Sequence, residues 1–356
     1  MHFEKLSIKD VRQETTDCVS VAFNIPEHLQ EQFRYKQGQY LTLRTVIGDA
    51  EVRRSYSLCS SPLEQEWRVA IKKTPGGVFS SFANERLKAG DTLEVAPPEG
   101  RFFTELVATQ SRQYVAIAAG SGITPILSII KTILQTEPHS SVTLVYGNRN
   151  RHSIIFREEL EALKNKHMHR FRLVHILSRE MMDASINTGR IDTEKCNTLF
   201  TRMLTLRADA FFICGPEEMT LCVRDFLLGK GIDRKKIHVE LFTAGAAGKP
   251  KATATQQAAD QGPTSEISIK LDGSVFNFNL PYDSESILDA AMRHGADLPF
   301  SCKGGVCCTC RAKVIEGEVD MEINYALEPE EVEQGFVLTC QSHPRSEKVV
   351  IDFDVK

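Results

Sequence analysis

The sequence lacks the features that mark several classes of protein. No apolar run reaches the roughly 18 residues of a membrane-spanning helix, and the opening segment MHFEKLSIKD contains no apolar signal-peptide core. The net charge of −4 is too small to indicate a nucleic-acid partner. With hydrophobic residues at 42% and charged residues at 25%, we expect a globular cytoplasmic protein that binds neither membrane nor nucleic acid.

Charge is unevenly distributed along the chain. Residues 265–356 contain 17 acidic and 8 basic residues, a net charge of −9. The remainder contains 30 acidic and 35 basic residues, a net charge of +5. This asymmetry predicts a separate acidic module at the end of the chain, whose docking to a basic partner would be sensitive to salt.

The first 243 residues show two different patterns of apolar and polar residues, one after the other. Residues 1–105 alternate apolar and polar side chains in short runs such as SVAFNI and YLTLRTV, punctuated by Pro and Gly, which predicts an antiparallel β-barrel. Residues 106–243 alternate buried-strand runs such as YVAIAAG and RFRLVHILS with helical segments such as PILSIIKTILQ. That alternation predicts a doubly wound α/β domain built on a parallel sheet.

A linker and a third domain follow. Residues 244–264, AGAAGKPKATATQQAADQGPT, are nearly free of large apolar side chains, so they bury too little surface to offset the entropy of ordering. They indicate a flexible linker. Beyond it, EISIKLDG and SVFNFNLP predict a β-hairpin, and SILDAAMRHG predicts a short amphipathic helix. The chain is therefore expected to be multidomain, with a small α+β domain at residues 265–356.

The segment AAGSGITPILSII indicates a phosphate-binding turn. Gly120 and Gly122 lie between an apolar strand and a helix, where glycine lets the backbone approach a pyrophosphate and the helix N-terminus offers free N–H groups. Pro125 suits the first helical turn, because its missing N–H costs nothing there. No third glycine completes the dinucleotide fingerprint, so tight-turn glycines without a ligand remain the alternative.

Three later strands end in YGNR, LSRE and CGP, at the edge where open α/β sheets bind ligands. Arg149, Ser178 and Arg179 are expected to converge there, and arginine forks suit a phosphate. No Asp or Glu ends the second strand, where a carboxylate would bind the ribose 2′-hydroxyl of NADH. The sequence therefore favours NADPH, with ordinary surface arginines as the alternative interpretation.

The barrel segment RRSYSLCS combines a cation, an aromatic ring and hydroxyl groups. With a strand period of two, Arg54 and Tyr56 share one face and Ser57 lies on the other. An arginine for phosphate beside a tyrosine that can stack on a flat ring fits a flavin. GGVFSSF, residues 76–82, predicts a second phosphate-binding turn at a helix start. A core tyrosine and a plain turn are the alternatives.

Four cysteines lie within SCKGGVCCTCR. The x4 and x2 spacings of Cys302, Cys307 and Cys310 are those of a plant-type [2Fe–2S] site, which needs a fourth, distant cysteine, and Cys340 in VLTCQS supplies it. Choosing Cys308 instead of Cys307 would lose this spacing, so Cys308 is expected not to bind iron. Zinc or a disulfide is the alternative, although only one CxxC pair is present and long cytosolic chains rarely carry disulfides.

These motifs resemble a known family. RSYS, GGVFS, GSGITP, YGNR, SRE and CGP are similar to motifs of the ferredoxin–NADP⁺ reductase superfamily, and the last 92 residues resemble a plant-type ferredoxin. In this sequence the reductase-like domains come first and the ferredoxin-like domain comes last, which is similar to the domain order in reductase components of multicomponent oxygenases. The segments 53–60 and 301–314, with NYALEPEEVEQGFVLTCQ and VVIDFD, resemble the reductase subunits of bacterial phenylacetyl-CoA epoxidases, which act in phenylacetate catabolism.

The resemblance implies a role for each matching residue. The residues expected to bind FAD are Arg54, Tyr56, Ser57, Gly77, Val78, Ser80 and Phe242. The residues expected to bind NADPH are Gly120, Gly122, Thr124, Pro125, Arg149, Ser178, Arg179, Gly215 and Pro216. Ser57, Cys214 and Glu240 would be catalytic, and Cys302, Cys307, Cys310 and Cys340 would hold the cluster. Leu241 departs from the arginine common in the family, and Phe242 as a core residue is the alternative to its FAD role.

The resemblance also implies a function. The chain would be an NAD(P)H-dependent iron–sulfur flavoprotein oxidoreductase with a β-grasp ferredoxin domain, passing electrons from NADPH through FAD and a [2Fe–2S] cluster to a di-iron oxygenase. The chain cannot itself be that oxygenase, because it lacks paired ExxH helices. A reductase of another oxygenase or of a hybrid-cluster protein is the nearer alternative. A redox-reporting ferredoxin-type interaction module is the alternative from another class.

Overall fold

The computed structural model describes residues 2–242 and 263–355, and these two ranges form two compact units. The predicted linker, residues 244–264, lies outside the described residues except for its last two positions. Thr264 already belongs to the first strand of the second unit, not to a linker. Of the helices in the two described ranges, none combines the length and apolarity that crossing a bilayer requires.

The first unit begins with the predicted antiparallel barrel, which is confirmed. Its strands are β1 (Glu4–Thr15), β2 (Cys18–Phe23), β3 (Tyr40–Ile47), β4 (Ala50–Ser57), β5 (Trp67–Lys72) and β6 (Thr92–Val95). They form one sheet in the order β4-β3-β6-β1-β2-β5. A bridge between Leu58 and Val69 joins the two outer strands, so the sheet closes on itself.

The barrel interior follows the period-two pattern of its strands. Val19, Val21 and Phe23 of β2 face the same core, which also takes Phe79 from helix α1 (Val78–Arg86). Because α1 is packed into this core, its first turn is fixed beside β4. The barrel thereby positions both of the segments that the sequence assigns to FAD.

A five-stranded parallel sheet completes the first unit, as predicted. Its strands are β7 (Gln113–Ala119), β8 (Ser141–Asn148), β9 (Phe171–Leu177), β10 (Ala210–Gly215) and β11 (Ile237–Leu241). The helices between them are α2 (Ile123–Thr136), α3 (Arg157–Lys166), α4 (Thr193–Arg202) and α5 (Glu217–Gly229). Ile126 of α2 and Leu160 of α3 pack on one face of the sheet, and Leu199 of α4 and Val223 of α5 pack on the other.

The strand order β11-β10-β7-β8-β9 places a topological switch point between β7 and β10. From β7 the chain proceeds outward through β8 and β9, and then returns to the other side of β7 for β10 and β11. Connections therefore diverge at the carboxyl ends of β7 and β10, leaving the crevice in which such sheets bind their ligands.

Polar contacts join the barrel to α2. Ser128 donates to the carbonyl of Ser60 at 2.6 Å, and the hydroxyls of Ser61 and Thr132 lie 3.0 Å apart. The ammonium of Lys131, which is buried, contacts Glu64 of the barrel at 3.0 Å and also Glu159 of α3. Because the ammonium of Lys131 is buried and contacts both carboxylates, these bonds help to fix the orientation of the barrel relative to the parallel sheet.

The second unit is a mixed five-stranded sheet with a helix across it, the β-grasp arrangement that was predicted. Its strands are β12 (Thr264–Leu271), β13 (Ser274–Pro281), β14 (Arg311–Glu316), β15 (Val319–Met321), β16 (Phe336–Leu338), β17 (Ser342–Pro344) and β18 (Lys348–Asp352). Its helices are α6 (Ile287–Arg293) and α7 (Pro329–Glu333). The main sheet has the order β13-β12-β18-β14-β16, with β15 and β17 paired separately.

The core of the second unit reaches the cysteine segment. β12 and β13 form the expected hairpin, and Ile267 and Ile269 of β12 pack with Ile287 of α6. Cys310 and Cys340 belong to the same buried cluster. The long segment between α6 and β14, which carries the other three cysteines, is therefore anchored at its end by the sheet.

Candidate cofactor sites and electron-transfer centre

The end of β4 offers a charged group and a ring on one face. Arg54 is exposed, and Tyr56 is half-buried with its ring centroid 5.6 Å from that of Phe79. Burial raises the pKa of the Tyr56 phenol, so the ring is neutral at physiological pH. A neutral tyrosine ring supported from behind by Phe79 suits stacking on a flat cofactor.

The turn before α1 is held by hydroxyl groups. The buried Ser80 hydroxyl accepts from the N–H of Thr74 at 3.1 Å and lies 3.0 Å from the Thr74 hydroxyl. Gly77 is the N-cap of α1 without a side-chain cap, and Val78 begins the helix with an exposed side chain. Since first-turn amides have no intrahelical partner, this turn presents N–H groups suited to an anion.

The switch point depends on a very close backbone approach. A Cβ on Gly122 would lie 2.2 Å from the carbonyl oxygen of Cys214, so only glycine lets the start of α2 pack against the end of β10. Gly120 precedes it with φ +55°, and its carbonyl accepts from the Tyr146 hydroxyl at 2.9 Å. Thr124 is buried in the first turn of α2 and donates to the carbonyl of Ser121 at 3.0 Å.

Three predicted catalytic residues meet at the carboxyl ends of β10 and β11. Cys214 and Glu240 are register partners across these strands, and the Ser57 hydroxyl reaches Glu240 Oε2 from the barrel at 3.4 Å. Burial raises the pKa of Glu240 to about 8, although its side chain retains partial exposure. Burial also raises the pKa of the Cys214 thiol. Both groups are therefore protonated at neutral pH.

Four other predicted residues lie near this edge. Gly215 ends β10, its carbonyl accepts from the N–H of Phe242 at 3.3 Å, and exposed Pro216 leads into α5. Phe242 is half-buried and packs against the core that also contains Cys214. Pro125 is buried in α2. Phe242 therefore packs against the core with one part of its side chain and is exposed with the rest.

The structure brings Arg149 and Arg179 together at the end of β8 and β9. The N–H of Arg179 donates to the carbonyl of Arg149 at 2.8 Å, and that of Ser178 donates to Asn148 at 2.9 Å. Both arginine side chains are exposed, and Ser178 is half-buried. Glu180, the acidic residue beside them, accepts from the N–H of Arg151 at 2.9 Å and thus faces a different segment.

The four predicted cluster cysteines form one connected set in the second unit. The sulfurs of Cys302 and Cys307 lie 3.2 Å apart, and the N–H of Gly304 donates to Cys302 Sγ at 3.3 Å. Contact with the thiols of Cys307 and Cys340 lowers the pKa of Cys302, and contact with the Cys340 thiol lowers that of Cys310. Four converging thiols fit an iron–sulfur cluster.

The fifth cysteine of this region points elsewhere. Cys308 Sγ donates to the carbonyl of Ala326 at 3.3 Å and packs against the domain core. No disulfide joins any of the ten cysteines, all of which lie within the described residues. In the described ranges, no three His, Cys, Asp or Glu side chains surround a single-ion site. That result does not conflict with a [2Fe–2S] cluster, because each of its irons takes only two protein sulfurs.

The cysteine segment is shaped by a second close approach. Gly305 has φ +71°, and a Cβ there would lie 2.7 Å from the carbonyl oxygen of Ile323. The N–H of Tyr325 donates to the Gly305 carbonyl at 2.9 Å. Asn324 accepts from the N–H of Leu327 at 2.9 Å, which closes the opposing turn. Residues 323–327 therefore support the cysteine segment from outside the motif itself.

Sequence reasoning missed the residues that hold these segments in place. Thr74, Tyr146 and Asn324 each anchor a site turn through a hydrogen bond. Tyr146 stands in the motif YGNR, so its position was a usable signal. Thr74 and Asn324 bond to Ser80 and Leu327, six and three residues away along the chain, but no motif in the sequence marked either pair.

Three family profiles match the chain. They are an oxidoreductase FAD-binding domain at residues 5–104, an oxidoreductase NAD-binding domain at residues 116–225 and a 2Fe-2S iron-sulfur cluster binding domain at residues 269–345. Over 355 residues the chain is 44% identical to an Escherichia coli (strain K12) protein that is named as a subunit of 1,2-phenylacetyl-CoA epoxidase, covering 99% of this chain and 98% of the relative. The chain belongs to this family of iron–sulfur flavoprotein reductases. Its cofactors are FAD, NAD(P)H and a [2Fe–2S] cluster.

Other relatives share the whole architecture. The chain is 34% identical over 354 residues to a Rhodococcus rhodochrous protein named 3-ketosteroid-9-alpha-monooxygenase, ferredoxin reductase component, covering 98% of this chain and 96% of the relative. The solved structure of phthalate dioxygenase reductase aligns with a TM-score of 0.60 and 22% identity, covering 99% of this chain and 98% of that one. At this identity the likeness shows the fold alone.

Replacing Glu240 by glutamine is expected to remove a pH dependence of stability. Between its ordinary value of 4.5 and about 8, native Glu240 retains a proton that the unfolded chain has lost. Below a pH of about 4.5, Glu240 is protonated in both the folded and the unfolded chain, so its raised pKa does not affect stability. As the pH rises from there to about 8, the free energy of unfolding falls. The unfolding free energy of the wild type should therefore fall relative to Glu240→Gln by on the order of 2 kcal/mol.

The measurement is urea unfolding of the FAD-loaded protein at a series of pH values. Glu27→Gln is the control, since Glu27 is exposed on the barrel. Parallel curves for the wild type and Glu240→Gln would show that Glu240 titrates normally.

Serine substitutions should separate Cys307 from Cys308. Cys307→Ser is expected to abolish the electron paramagnetic resonance signal of the reduced cluster and to lower the iron content, because its sulfur lies 3.2 Å from Cys302. Cys308→Ser is expected to retain both, because Cys308 points to Ala326. The reverse result would overturn this choice of ligands.

Proposed function

We propose that this chain is the NADPH-dependent reductase of a di-iron oxygenase that epoxidises phenylacetyl-CoA. The observation that carries the proposal is the full-length likeness, at 44% identity, to a subunit of 1,2-phenylacetyl-CoA epoxidase. The site geometry supports the same conclusion. One unit brings together the three predicted catalytic residues at an edge of the parallel sheet, and the other brings together the four predicted cluster cysteines. Such a chain links a two-electron donor to a one-electron acceptor.

The first unit would bind and orient FAD and the nicotinamide. Bound FAD accepts a hydride from NADPH and releases electrons singly, and the [2Fe–2S] cluster carries one electron at a time. Arg54 and the turn formed by Gly77, Val78 and Ser80 at the start of α1 would hold the pyrophosphate of FAD. Tyr56 would lie against the flavin ring, where its phenol is neutral and supported by Phe79.

Ser57, Cys214 and Glu240 would form the wall at which the nicotinamide meets the flavin. Protonated Glu240 beside Ser57 can donate a hydrogen bond without placing a negative charge in the site. That matters because a carboxylate there would repel an electron-rich ring. The neutral, buried thiol of Cys214 would contribute packing and exclude water.

The sheet edge would select NADPH. Gly120 and Gly122 let the pyrophosphate approach the start of α2, with Thr124 and Pro125 in its first turn. Gly215 and Pro216 would line the nicotinamide end, and Phe242 would close it. Arg149 and Arg179 present two exposed guanidinium groups joined by a 2.8 Å backbone hydrogen bond, and Ser178 adds a hydroxyl. Two cations and a hydroxyl suit the 2′-phosphate of NADPH, and the acidic neighbour Glu180 is engaged by Arg151.

The second unit would bind the cluster through Cys302, Cys307, Cys310 and Cys340, and it would deliver electrons to the oxygenase. Between Lys313 and Arg345 the chain contains eight acidic residues and no lysine or arginine. This stretch includes the turn that contacts Gly305 of the cysteine segment. An acidic surface beside the electron exit suits a basic face on the acceptor, with salt-sensitive association.

Arg179→Ala should weaken binding of NADPH much more than that of NADH. Loss of one charge-assisted phosphate contact is expected to raise the KM for NADPH about 10- to 100-fold. The measurement is ferricyanide reduction with each nucleotide. Arg207→Ala is the control, since Arg207 is exposed before β10 at the opposite edge of the sheet. Equal losses for both nucleotides would place recognition of the 2′-phosphate elsewhere.

The acceptor is tested by coupled turnover. Purified chain, NADPH and the oxygenase subunits of a phenylacetyl-CoA epoxidase should convert phenylacetyl-CoA to its epoxide, with NADPH oxidation stimulated by the oxygenase. Cys307→Ser should lose this coupling while keeping NADPH–ferricyanide turnover. If ferricyanide turnover is normal and no epoxide forms, while another oxygenase accepts the electrons, the assignment of the acceptor is wrong.

A further inference from the structure

Ser178 and Arg179 begin a loop, residues 178–189, whose two ends meet at the end of β9. The loop leaves β9 after Leu177 and returns to the same residue, because Thr188 forms a parallel bridge with Leu177. The N–H of Gly189 donates to the carbonyl of Leu177 at 2.9 Å. Any shift of the returning half is therefore transmitted to the start of the loop, where Ser178 and Arg179 lie.

A single lysine secures the returning half of this loop. Lys195 Nζ donates to the carbonyls of Ser185 at 3.1 Å, Ile186 at 3.1 Å and Thr188 at 2.8 Å. An ammonium has three N–H donors, and these contacts use all of them. The bonds are charge-assisted, and they add to other hydrogen bonds of this segment, such as that from the side-chain amide of Asn187 to the carbonyl of His175 at 2.7 Å.

Lys195 is itself fixed to a rigid element. It lies half-buried in the first turn of α4, and its N–H donates to the side chain of the N-cap residue Asp192 at 2.8 Å. α4 packs on the parallel sheet through Cys196 and Leu199. The ammonium therefore connects the loop to the framework of the sheet rather than to another mobile surface group.

The outgoing half of the loop is held differently. Glu180 accepts from the N–H of Arg151, and the N–H of Met182 donates to the Thr188 hydroxyl at 3.1 Å. The second contact ties the outgoing half to a residue that Lys195 holds. Arg179 is thus held on one side by its backbone hydrogen bond to Arg149, and the outgoing half that follows it is tied to Thr188 through Met182.

We propose that Lys195 is a positioning residue for nucleotide selection: by binding three carbonyls of the 178–189 loop, it keeps Ser178 and Arg179 where they meet the 2′-phosphate of NADPH. This inference rests on the proposed role of Arg179 in the preceding section. Lys195 touches neither the nucleotide nor the flavin in this role. Its loss should reduce the preference for the 2′-phosphate without altering hydride transfer.

The test compares Lys195→Met with the wild type in binding of 2′,5′-ADP and 5′-AMP, measured by calorimetry on the FAD-loaded full chain. Methionine keeps most of the length and packing of lysine but removes all three donors. We expect the affinity for 2′,5′-ADP to fall about tenfold and that for 5′-AMP to stay unchanged. In ferricyanide turnover, the KM for NADPH should rise while kcat stays the same.

Two further variants make the result specific. Lys195→Arg, which keeps a charge and several donors, should restore most of the preference for 2′,5′-ADP. Lys166→Met, an exposed lysine at the end of α3, should change nothing. Thermal unfolding of each variant distinguishes a loosened loop from a damaged domain, since general damage would weaken both ligands equally.

The possible outcomes separate the two proposals. If Arg179→Ala loses the preference but Lys195→Met retains it, the role of Lys195 is wrong and that of Arg179 stands. If Arg179→Ala also retains it, the 2′-phosphate is bound elsewhere and the proposed NADPH site fails. If Lys195→Met weakens the binding of 2′,5′-ADP and of 5′-AMP equally, Lys195 stabilises the domain in general and has no specific role in recognising the 2′-phosphate.

Discussion

The close contact between Gly122 and the end of β10 determines how the rest of the first unit can work. A Cβ at this position would lie 2.2 Å from the Cys214 carbonyl oxygen, so the start of α2 and the end of β10 share a space that admits only backbone. This contact places the first turn of α2 beside Cys214, and the register of β10 with β11 then places Glu240 beside Cys214. The predicted nucleotide-binding turn and the three predicted catalytic residues are thus parts of one packed arrangement.

The barrel contributes to this edge from outside the parallel sheet. The barrel, which is held against α2 by Ser128, Lys131 and their partners, brings the Ser57 hydroxyl within 3.4 Å of Glu240. A buried cation between two carboxylates is costly to form but specifies one orientation. The raised pKa of Glu240 is a consequence of the same packing, because the barrel and the sheet together remove water from its carboxyl group.

The second unit also depends on a glycine that lies against a backbone carbonyl, here beside the predicted cluster cysteines. Gly305 approaches the Ile323 carbonyl so closely that a side chain would not fit, and the turn at 323–327 supports the cysteine segment. Buried Cys310 and Cys340 come from positions anchored by the sheet, and Cys302 and Cys307 come from the intervening segment. The four cysteines predicted to hold the cluster therefore come from two differently anchored parts of the second unit.

The sequence by itself determined the order of the three domains, the turn glycines and the spacing of the cysteines, because each depends on local chain geometry or on a fixed ligand spacing. It could not place Glu240 beside Ser57, 183 residues away along the chain, or show that Cys308 turns toward Ala326. It gave no sign of Lys195, whose three partners are backbone carbonyls that any residue type would supply. Only the tertiary structure decided these contacts, since burial and long-range proximity arise when separate elements pack and are not encoded in any one segment.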